Sequence, residues 1–303
     1  MNIREIFNEK KLVLSFEVFP PKSTSPVKSI YKALNELSSL RPDFISVTYG
    51  AGGSLRNNKT SEISSLIKNV YNIEALAHLT CISSRKEDID IITERLELEG
   101  VSNILALRGD GESNLNIDYK YATELIDYIG ENNKFNIISA CYPEGHIENK
   151  GLEEEIMNMK RKVSSGTTSF ISQLFFDNDL YYNFLEKTRN NGIEVPIQAG
   201  IMPVINKKQI DRISSMCGAS IPTKFRKIME KYEHNSEALR EAGIAYAVEQ
   251  IIDLASSGVD GIHLYTMNNP YVARRIKENV DIIIKSINEE GETIAWRKLR
   301  VLN

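Results

Sequence analysis

The sequence predicts an α/β fold, a (β/α)8 TIM barrel formed by residues 1–303 as one catalytic domain. Three observations lead there. Short segments rich in β-branched and apolar residues alternate with helix-like segments along the whole chain, as strands buried on both faces do. Helix-like segments end at Gly100, Gly166, Gly192 and Gly258, each just before a strand, and glycine enters the left-handed conformation past a helix end at little cost. No G-x-G-x-x-G follows the first strand, so the dinucleotide fingerprint of a doubly wound sheet is missing.

The expected strands are Leu12–Val18, Phe44–Thr48, Glu74–Leu79, Asn103–Leu107, Asn136–Cys141, Ser169–Leu174, Val195–Ala199 and Gly261–Tyr265. The first stops at Pro20-Pro21. Ser84-Arg85-Lys86-Glu87 reads as a capping box that opens a helix running to about Glu99. Ile244, Ala247, Val248, Ile251, Ile252 and Ala255 follow the spacing of one buried helix face. Between the seventh and eighth strands, Pro222–His234 reads as an insertion carrying an extra charged helix from Thr223 to Tyr232.

Composition narrows the function classes. A net charge of −4 gives no reason to expect nucleic acid or an anionic membrane as partner. Cys81, Cys141 and Cys217 are widely spaced, form no C-x-x-C pair, and read as reduced thiols. With only four histidines, no metal site is expected. Lys10-Lys11 before a short apolar run interrupted by Glu17 is not a signal peptide, and no stretch is long enough to span a bilayer. The expectation is a soluble, cytoplasmic protein.

Unusual polar groups stand at the C-terminal ends of the expected strands: Glu17, Thr48-Tyr49-Gly50, His78-Leu79-Thr80, Arg108-Gly109-Asp110, Tyr142-Pro143-Glu144-Gly145-His146, Gln173 and Tyr265-Thr266. In a (β/α)8 barrel these ends converge on one rim, where the active site lies. Glu17 is the most telling. A carboxyl among Phe16, Val18 and Phe19 holds its proton to higher pH through desolvation, as a general acid near neutrality must. Each residue also has a plain reading. Glu17 could face water or pair with Lys22, His78 could be a satisfied core histidine, and Arg108 and Asp110 could pair around a turn glycine. Lys160-Arg161-Lys162 could be a solvated helix face or could meet a diphosphate on the rim. Gln173 is an amide in an apolar strand and needs partners, since an unpaired buried amide costs about 1–3 kcal/mol. Tyr31, Tyr71, Tyr181 and Tyr182 read as packing residues.

Taken together, these segments resemble the methylenetetrahydrofolate reductase family in its short bacterial form. The matching runs are Phe16-Glu17-Val18-Phe19-Pro20-Pro21, Ser46-Val47-Thr48-Tyr49-Gly50-Ala51, Ala77-His78-Leu79-Thr80-Cys81, Ala106-Leu107-Arg108-Gly109-Asp110, Tyr142-Pro143-Glu144, Lys160-Arg161-Lys162-Val163, Gln173-Leu174-Phe175-Phe176-Asp177, Gly200-Ile201-Met202-Pro203-Val204 and Tyr265-Thr266-Met267-Asn268. The resemblance implies a barrel with non-covalent FAD at its C-terminal rim, NADH or NADPH as donor, and ping-pong hydride transfer that turns methylenetetrahydrofolate into methyltetrahydrofolate, a one-carbon step toward methionine. It implies Glu17 as the acid that opens the methylene bridge and Asp110 as a carboxylate that stabilises the cationic iminium and tunes the flavin. Substrate contacts are implied for Glu17, Asp110, Gln173 and Gln209. FAD contacts are implied for Thr48, His78, Arg108, Gly109, Asp110, Tyr121, Ala122, Tyr142, His146, Glu155, Asn158, Arg161 and Lys162. The chain departs from relatives at Asn269, where they have arginine, at Ile213, where some have an aromatic ring, and in the loop Gly52-Gly53-Ser54-Leu55-Arg56, which is one residue longer. The resemblance also implies a homo-oligomer and leaves open an electron-delivering partner subunit. Two other readings compete: a different flavin barrel, similar to proline dehydrogenase, and a non-catalytic relative acting as a subunit.

Overall fold

Residues 2–21, 26–49, 59–82, 84–109, 118–148 and 151–301 are described by the computed structural model, the last eleven by backbone alone. Eight parallel strands close into a barrel in chain order. They are β1 (Val13–Val18), β2 (Phe44–Val47), β3 (Glu74–Thr80), β4 (Asn103–Leu107), β5 (Asn136–Cys141), β6 (Ser169–Ser172), β7 (Ile197–Ile201) and β8 (Gly261–Tyr265). Helix α1 (Ile3–Glu9) precedes β1. Helices α2 (Tyr31–Ser39), α3 (Lys59–Asn69), α4 (Lys86–Leu98), α5 (Ala122–Gly130), α6 (Leu152–Ser164) and α7 (Asn178–Asn190) each follow one strand. Between β7 and β8 stand α8 (Lys207–Cys217), α9 (Thr223–Tyr232) and α10 (Ser236–Ser256), and α11 (Pro270–Val301) closes the chain. The expected extra helix is α9, with the predicted ends, and α8 accompanies it.

Five strands differ from expectation: β1 starts one residue later, β2 ends one residue earlier, β3 ends one residue later, β6 ends two residues earlier and β7 is shifted two residues later. β6 stops at Ser172, beyond which Gln173 N–H still donates to Cys141 O at 2.7 Å. β7 starts at Ile197 because Pro196 has no N–H for the ladder, and it runs on through Gly200. At Gly200 a Cβ would lie 2.2 Å from Ser172 O and 2.9 Å from the Tyr265 ring, so the glycine is demanded by packing rather than by a turn. The capping box of α4 is shifted by one residue: Arg85 is the N-cap, and its N–H donates to Asp88 Oδ2 at 2.9 Å. Ser84 Oγ donates instead to Thr80 O at 2.9 Å. All four expected helix-ending glycines have positive φ, from 71° at Gly100 to 114° at Gly166.

The outer core lies between strands and helices. On α10 it takes in Ile244, Ala247, Ile251 and Ala255, while Val248 and Ile252 are only partly buried against it. A second apolar group fills the N-terminal half of the barrel: Val13, Phe44, Leu76, Leu105, Ile138 and Ile171, plugged from below by Ile3 and Ile6 of α1. Full burial of each such side chain stabilises the fold by roughly 1.5–3 kcal/mol. α1 is absent from the expected elements, yet it has a strong local signal: Asn2 Oδ1 accepts from Glu5 N at 3.0 Å while Asn2 N donates to Glu5 Oε2 at 2.7 Å. Ile3 N then docks on Asn103 Oδ1 of β4 at 3.0 Å. A third cluster, with Phe176, Val204, Ile210, Phe225 and Met229, seats α8 and α9.

Candidate active site

Alternation along the strands sets what faces the barrel interior. On β1, Val13, Ser15 and Glu17 share one phase. β1 pairs with β2 so that Glu17 stands opposite Ser46, and with β8 so that Ser15 stands opposite His263. The ladder therefore gathers four polar side chains at neighbouring levels in the upper barrel, with His78 added from β3. Glu17 Oε2 lies 3.7 Å from His78 Nε2 and 3.7 Å from His263 Nε2, and the Glu17 side chain retains 17% exposure. Glu17 sits between two imidazoles rather than facing open water; its other plain reading, a pair with Lys22, falls outside the described residues. His78 is buried but not satisfied, because its Nε2 has no hydrogen-bond partner.

Burial pushes the His78 pKa down to about 4, an effect that the Glu17 carboxylate opposes and His263 reinforces. His78 is therefore neutral at physiological pH. His263 is fully buried, with its ring stacked on Phe44 at 6.2 Å between centroids and edge-on to Tyr265 at 5.4 Å. Ser15 Oγ lies 2.7 Å from its Nδ1, and Ser46 Oγ 3.3 Å from its Nε2. Gln198 of β7 continues this set inward, its Nε2 donating to Ser15 Oγ at 3.1 Å. The backbone at Glu17 is fixed as well. Thr266 Oγ1 donates to Glu17 O at 2.6 Å, and Asn268 spans Phe19, accepting from its N at 3.0 Å and donating to its O at 2.8 Å. Met267 and Asn268 hold left-handed φ of 51° and 53°, strain of the kind found where surrounding structure over-determines a site.

At the same, C-terminal end of the barrel, a cavity of about 590 Å³ opens between the ends of β4 and β5 and helices α5 and α6. It gathers most of the residues expected at FAD: Arg108, Tyr121, Ala122, Tyr142, His146, Glu155, Asn158, Arg161 and Lys162. Lys162 Nζ donates to Ala140 O at 2.7 Å and Arg161 Nη1 to Asn158 Oδ1 at 3.0 Å. The second and third side chains of the Lys160-Arg161-Lys162 run thus line the cavity, with Arg161 also exposed to solvent. Arg108 is held bidentately by Glu148, with its Nη2 3.2 Å from Oε1. Tyr142 and His146 pack edge to face at 4.6 Å between centroids. Glu155 is 1% exposed and lies in the first turn of α6, where the helix N-terminus favours negative charge.

Other expected residues lie apart from this cavity. Thr48 is half-buried at the end of β2, its N–H donating to Val18 O at 3.0 Å and its carbonyl accepting from Thr60 Oγ1 at 2.9 Å. His78 faces Glu17. Gly109 turns with φ 90°, and a Cβ there would meet Thr80 and Ile82 side chains at 3.1 Å. Gln173, half-buried, accepts from Leu174 N at 2.9 Å through Oε1, so one edge of its amide is used within the protein. Gln209 is half-buried in the first turn of α8, its N–H on Asn206 Oδ1 at 3.0 Å, with no contact to the cavity. Asn269 Oδ1 accepts from Val272 N at 3.3 Å, and Ile213 packs in the cluster under α8 and α9. Asp110 and the loop at Gly52-Gly53-Ser54-Leu55-Arg56 lie outside the described residues.

Sequence reasoning missed Ser15, Ser46, Gln198 and His263. Their signal is phase: each falls on the same alternation as the inward residues of its strand. Another hollow, about 930 Å³, lies at the opposite end of the barrel among Asn2, Lys68, Gly100 and Lys134. Barrel chemistry sits at the C-terminal rim, and none of the converging groups described above reaches that hollow. Among the described residues no three His, Cys, Asp or Glu side chains converge as a metal site requires, and no helix is long and apolar enough to cross a membrane.

Comparisons with known proteins give one answer on ancestry. A model described as methylenetetrahydrofolate reductase matches residues 2–281. The chain is 34% identical over 273 residues to the 5,10-methylenetetrahydrofolate reductase of Salmonella typhimurium, covering 88% of this chain and 92% of that protein. It is 33% identical over 313 residues to methylenetetrahydrofolate reductase (NADH) 1 of Arabidopsis thaliana, spanning 98% of this chain but 52% of the plant protein. Among solved structures, an uncharacterized protein from Clostridium thermocellum that binds two copies of 5-methyl-5,6,7,8-tetrahydrofolic acid matches at a TM-score of 0.65 and 16% identity, over 93% of this chain and 99% of that one, a likeness of fold alone. The chain belongs to the methylenetetrahydrofolate reductase family.

Proposed function

We propose that this protein reduces 5,10-methylenetetrahydrofolate to 5-methyltetrahydrofolate with NADH or NADPH as donor and FAD as cofactor, and that Glu17 is the general acid. The observation that carries this reading is that, in a member of this family, the C-terminal end of one barrel holds both a carboxylate set between two buried imidazoles and a cavity whose cations suit a dinucleotide.

The residues fit FAD. A cavity of about 590 Å³ lies in the ordinary range for cofactor sites, roughly 300–1,000 Å³. Arg161 and Lys162 would hold the diphosphate, a guanidinium supplying paired donors and an ammonium a point charge. Arg108 already has Glu148 and is the weaker candidate for that role. Glu155 would accept from a ribose hydroxyl. FAD, when bound, supplies the hydride relay between the nicotinamide and the folate, the two taking turns. Asp110 keeps the role the resemblance gives it, stabilising positive charge on the substrate.

The chain's own part is proton management. For the methylene bridge to accept hydride, one C–N bond must break, leaving an iminium cation on the carbon and an electron pair on the departing nitrogen. Glu17 gives its proton to that nitrogen, so the leaving group departs neutral. The carboxylate that results forms between two imidazoles, one of which, His263, is held by the Ser46 hydroxyl.

The test is anaerobic. Purified protein reconstituted with FAD is mixed with NADH, NADPH or reduced ferredoxin side by side, and the flavin band is followed. Bleaching by a nicotinamide nucleotide and return of the band on adding methylenetetrahydrofolate are expected. A colourless protein unable to take up FAD, or a reduced flavin that folate does not reoxidise, overturns the proposal.

A further inference from the structure

Resting on the reading of Gln173 as a folate contact, we infer that Tyr265 is a positioning residue for it: together with Ser172, Tyr265 fixes the backbone that carries Gln173, so that the side-chain amide meets acceptor atoms of the reduced pterin with its NH₂ edge.

Gln173 stands where regular pairing has run out. The β6–β7 ladder ends at Ile171 opposite Gln198, so Ser172 and Gln173 have no register partner on β7. Side chains take over. Tyr265 of β8 reaches across β7, and its hydroxyl donates to Ser172 O at 2.8 Å. Ser172 Oγ accepts from Gly200 N at 2.9 Å and gives its one proton to Gln173 O at 3.0 Å. On the other flank Gln173 N donates to Cys141 O at 2.7 Å. Gly200 leaves the passage open, since a Cβ there would sit 2.2 Å from Ser172 O and 2.9 Å from the Tyr265 hydroxyl. The bracing runs on past Gln173: Gln250 Nε2 donates to Phe175 O at 3.1 Å and Tyr246 Oη to Phe176 O at 2.5 Å.

The flip of the amide is fixed as well. Leu174 N–H needs an acceptor and finds Gln173 Oε1 at 2.9 Å, which uses the oxygen and leaves the nitrogen with two protons to give. Among the described residues no acceptor meets that nitrogen. A half-buried NH₂ held this way matches the carbonyl oxygen and ring nitrogens of a pterin. Satisfying backbone oxygens accounts for each hydroxyl taken singly. What exceeds that need is the convergence of β5, β7 and β8 on the one residue whose amide nitrogen stays free. Burial, and then the Glu17 carboxylate, push the Tyr265 phenol well above its usual range, so the donated proton stays in place at working pH.

The test separates this role from one exercised through Glu17, which stands opposite Tyr265 in the ladder. FAD-loaded protein is titrated with 5-methyltetrahydrofolate, and turnover of methylenetetrahydrofolate is followed against pH. Tyr265→Phe keeps the ring against His263 and deletes only the hydroxyl. Its Kd and KM should rise about five- to tenfold, the value of one hydrogen bond, with kcat changed less than about threefold and its pH limbs in place. Gln173→Ala should raise both at least as far. In the double variant the two effects should not add, because Tyr265 acts through the amide already lost. Ser172→Ala should repeat the Tyr265→Phe pattern, and it decides the matter if Tyr265→Phe fails to fold. Wild-type Kd and KM in a folded Tyr265→Phe, effects that add in the double variant, or a displaced pH limb overturn the inference. Gln173→Ala separates the layers. If that variant binds folate as wild type does, Gln173 is no folate contact and the inference falls with that reading. If it binds weakly while Tyr265→Phe behaves as wild type, the positioning role alone is wrong. Methyltetrahydrofolate that fails to bind the wild-type protein removes the folate reading itself.

Discussion

At the α1 end of the barrel the inward side chains are Val13, Phe44, Leu76, Leu105, Ile138 and Ile171. One step of the alternation further along the same strands stand Ser15, Ser46 and His78, with His263 from β8. The two levels share strands, ladder and burial, and differ in chemistry. The lower level is apolar and makes close contact with α1. The upper level keeps an unpaired imidazole nitrogen at His78 and a strained turn at Met267 and Asn268, features that cost stability and stand next to Glu17 or its backbone braces. Stability is concentrated at one end of the barrel and chemistry at the other, with a single residue pair along each strand separating them.

The contrast can be broken in order of effect. Glu17→Gln should cut folate reduction by about 10²–10⁴ with little change in melting temperature, measured by stopped-flow flavin reoxidation beside thermal unfolding. Ile138→Ala, at the lower level, should do the reverse. It should lose about 2–5 kcal/mol in urea unfolding while the folded fraction turns over normally. Arg161→Ala should weaken FAD affinity tenfold or more, about the value of one charge-assisted hydrogen bond, read by fluorescence titration of released flavin.

His78 gives the smallest effect and the clearest sign. Its pKa is about 4 in the folded protein against 6.5 for the free side chain, so the unfolded chain binds more protons between those values. Stability contributed by neutral His78 is complete above pH 6.5 and is lost as pH falls toward 4, with a slope of at most about 1.4 kcal/mol per pH unit. His78→Leu should flatten that slope and hold or raise stability near neutrality, since it removes an unsatisfied buried nitrogen. Denaturation midpoints against pH would show it, and an unchanged slope would remove His78 from the account.

Much of the architecture is legible in the residues, because a buried parallel strand leaves an apolar stretch and a helix end leaves a glycine. Strand boundaries slipped where the signal was mixed, at Pro196, at Gly200 and at Gln173-Leu174. α1 was missed because a seven-residue helix has too short a period to register, although Asn2 and Glu5 mark its start. At the site, Glu17 and the Arg161-Lys162 pair stand out chemically and the structure puts them at the mouth. Ser15, Ser46 and Gln198 are ordinary in isolation. Their meaning depends on register between strands distant in sequence, such as Ser15 opposite His263, which no local pattern encodes. Gln209 has a plausible type but a position that the fold assigns to the start of α8.

The bond from Thr266 to Glu17 O joins residues 249 apart, and Asn268 to Phe19 spans the same separation. As the chain leaves the ribosome, the carboxylate emerges near the beginning and its brace near the end. Neither the imidazole of His263 nor the hydroxyl of Thr266 is available until β8 has taken its place between β7 and β1. A nascent or truncated chain can thus build most of its wall before the groups that hold Glu17 are in place.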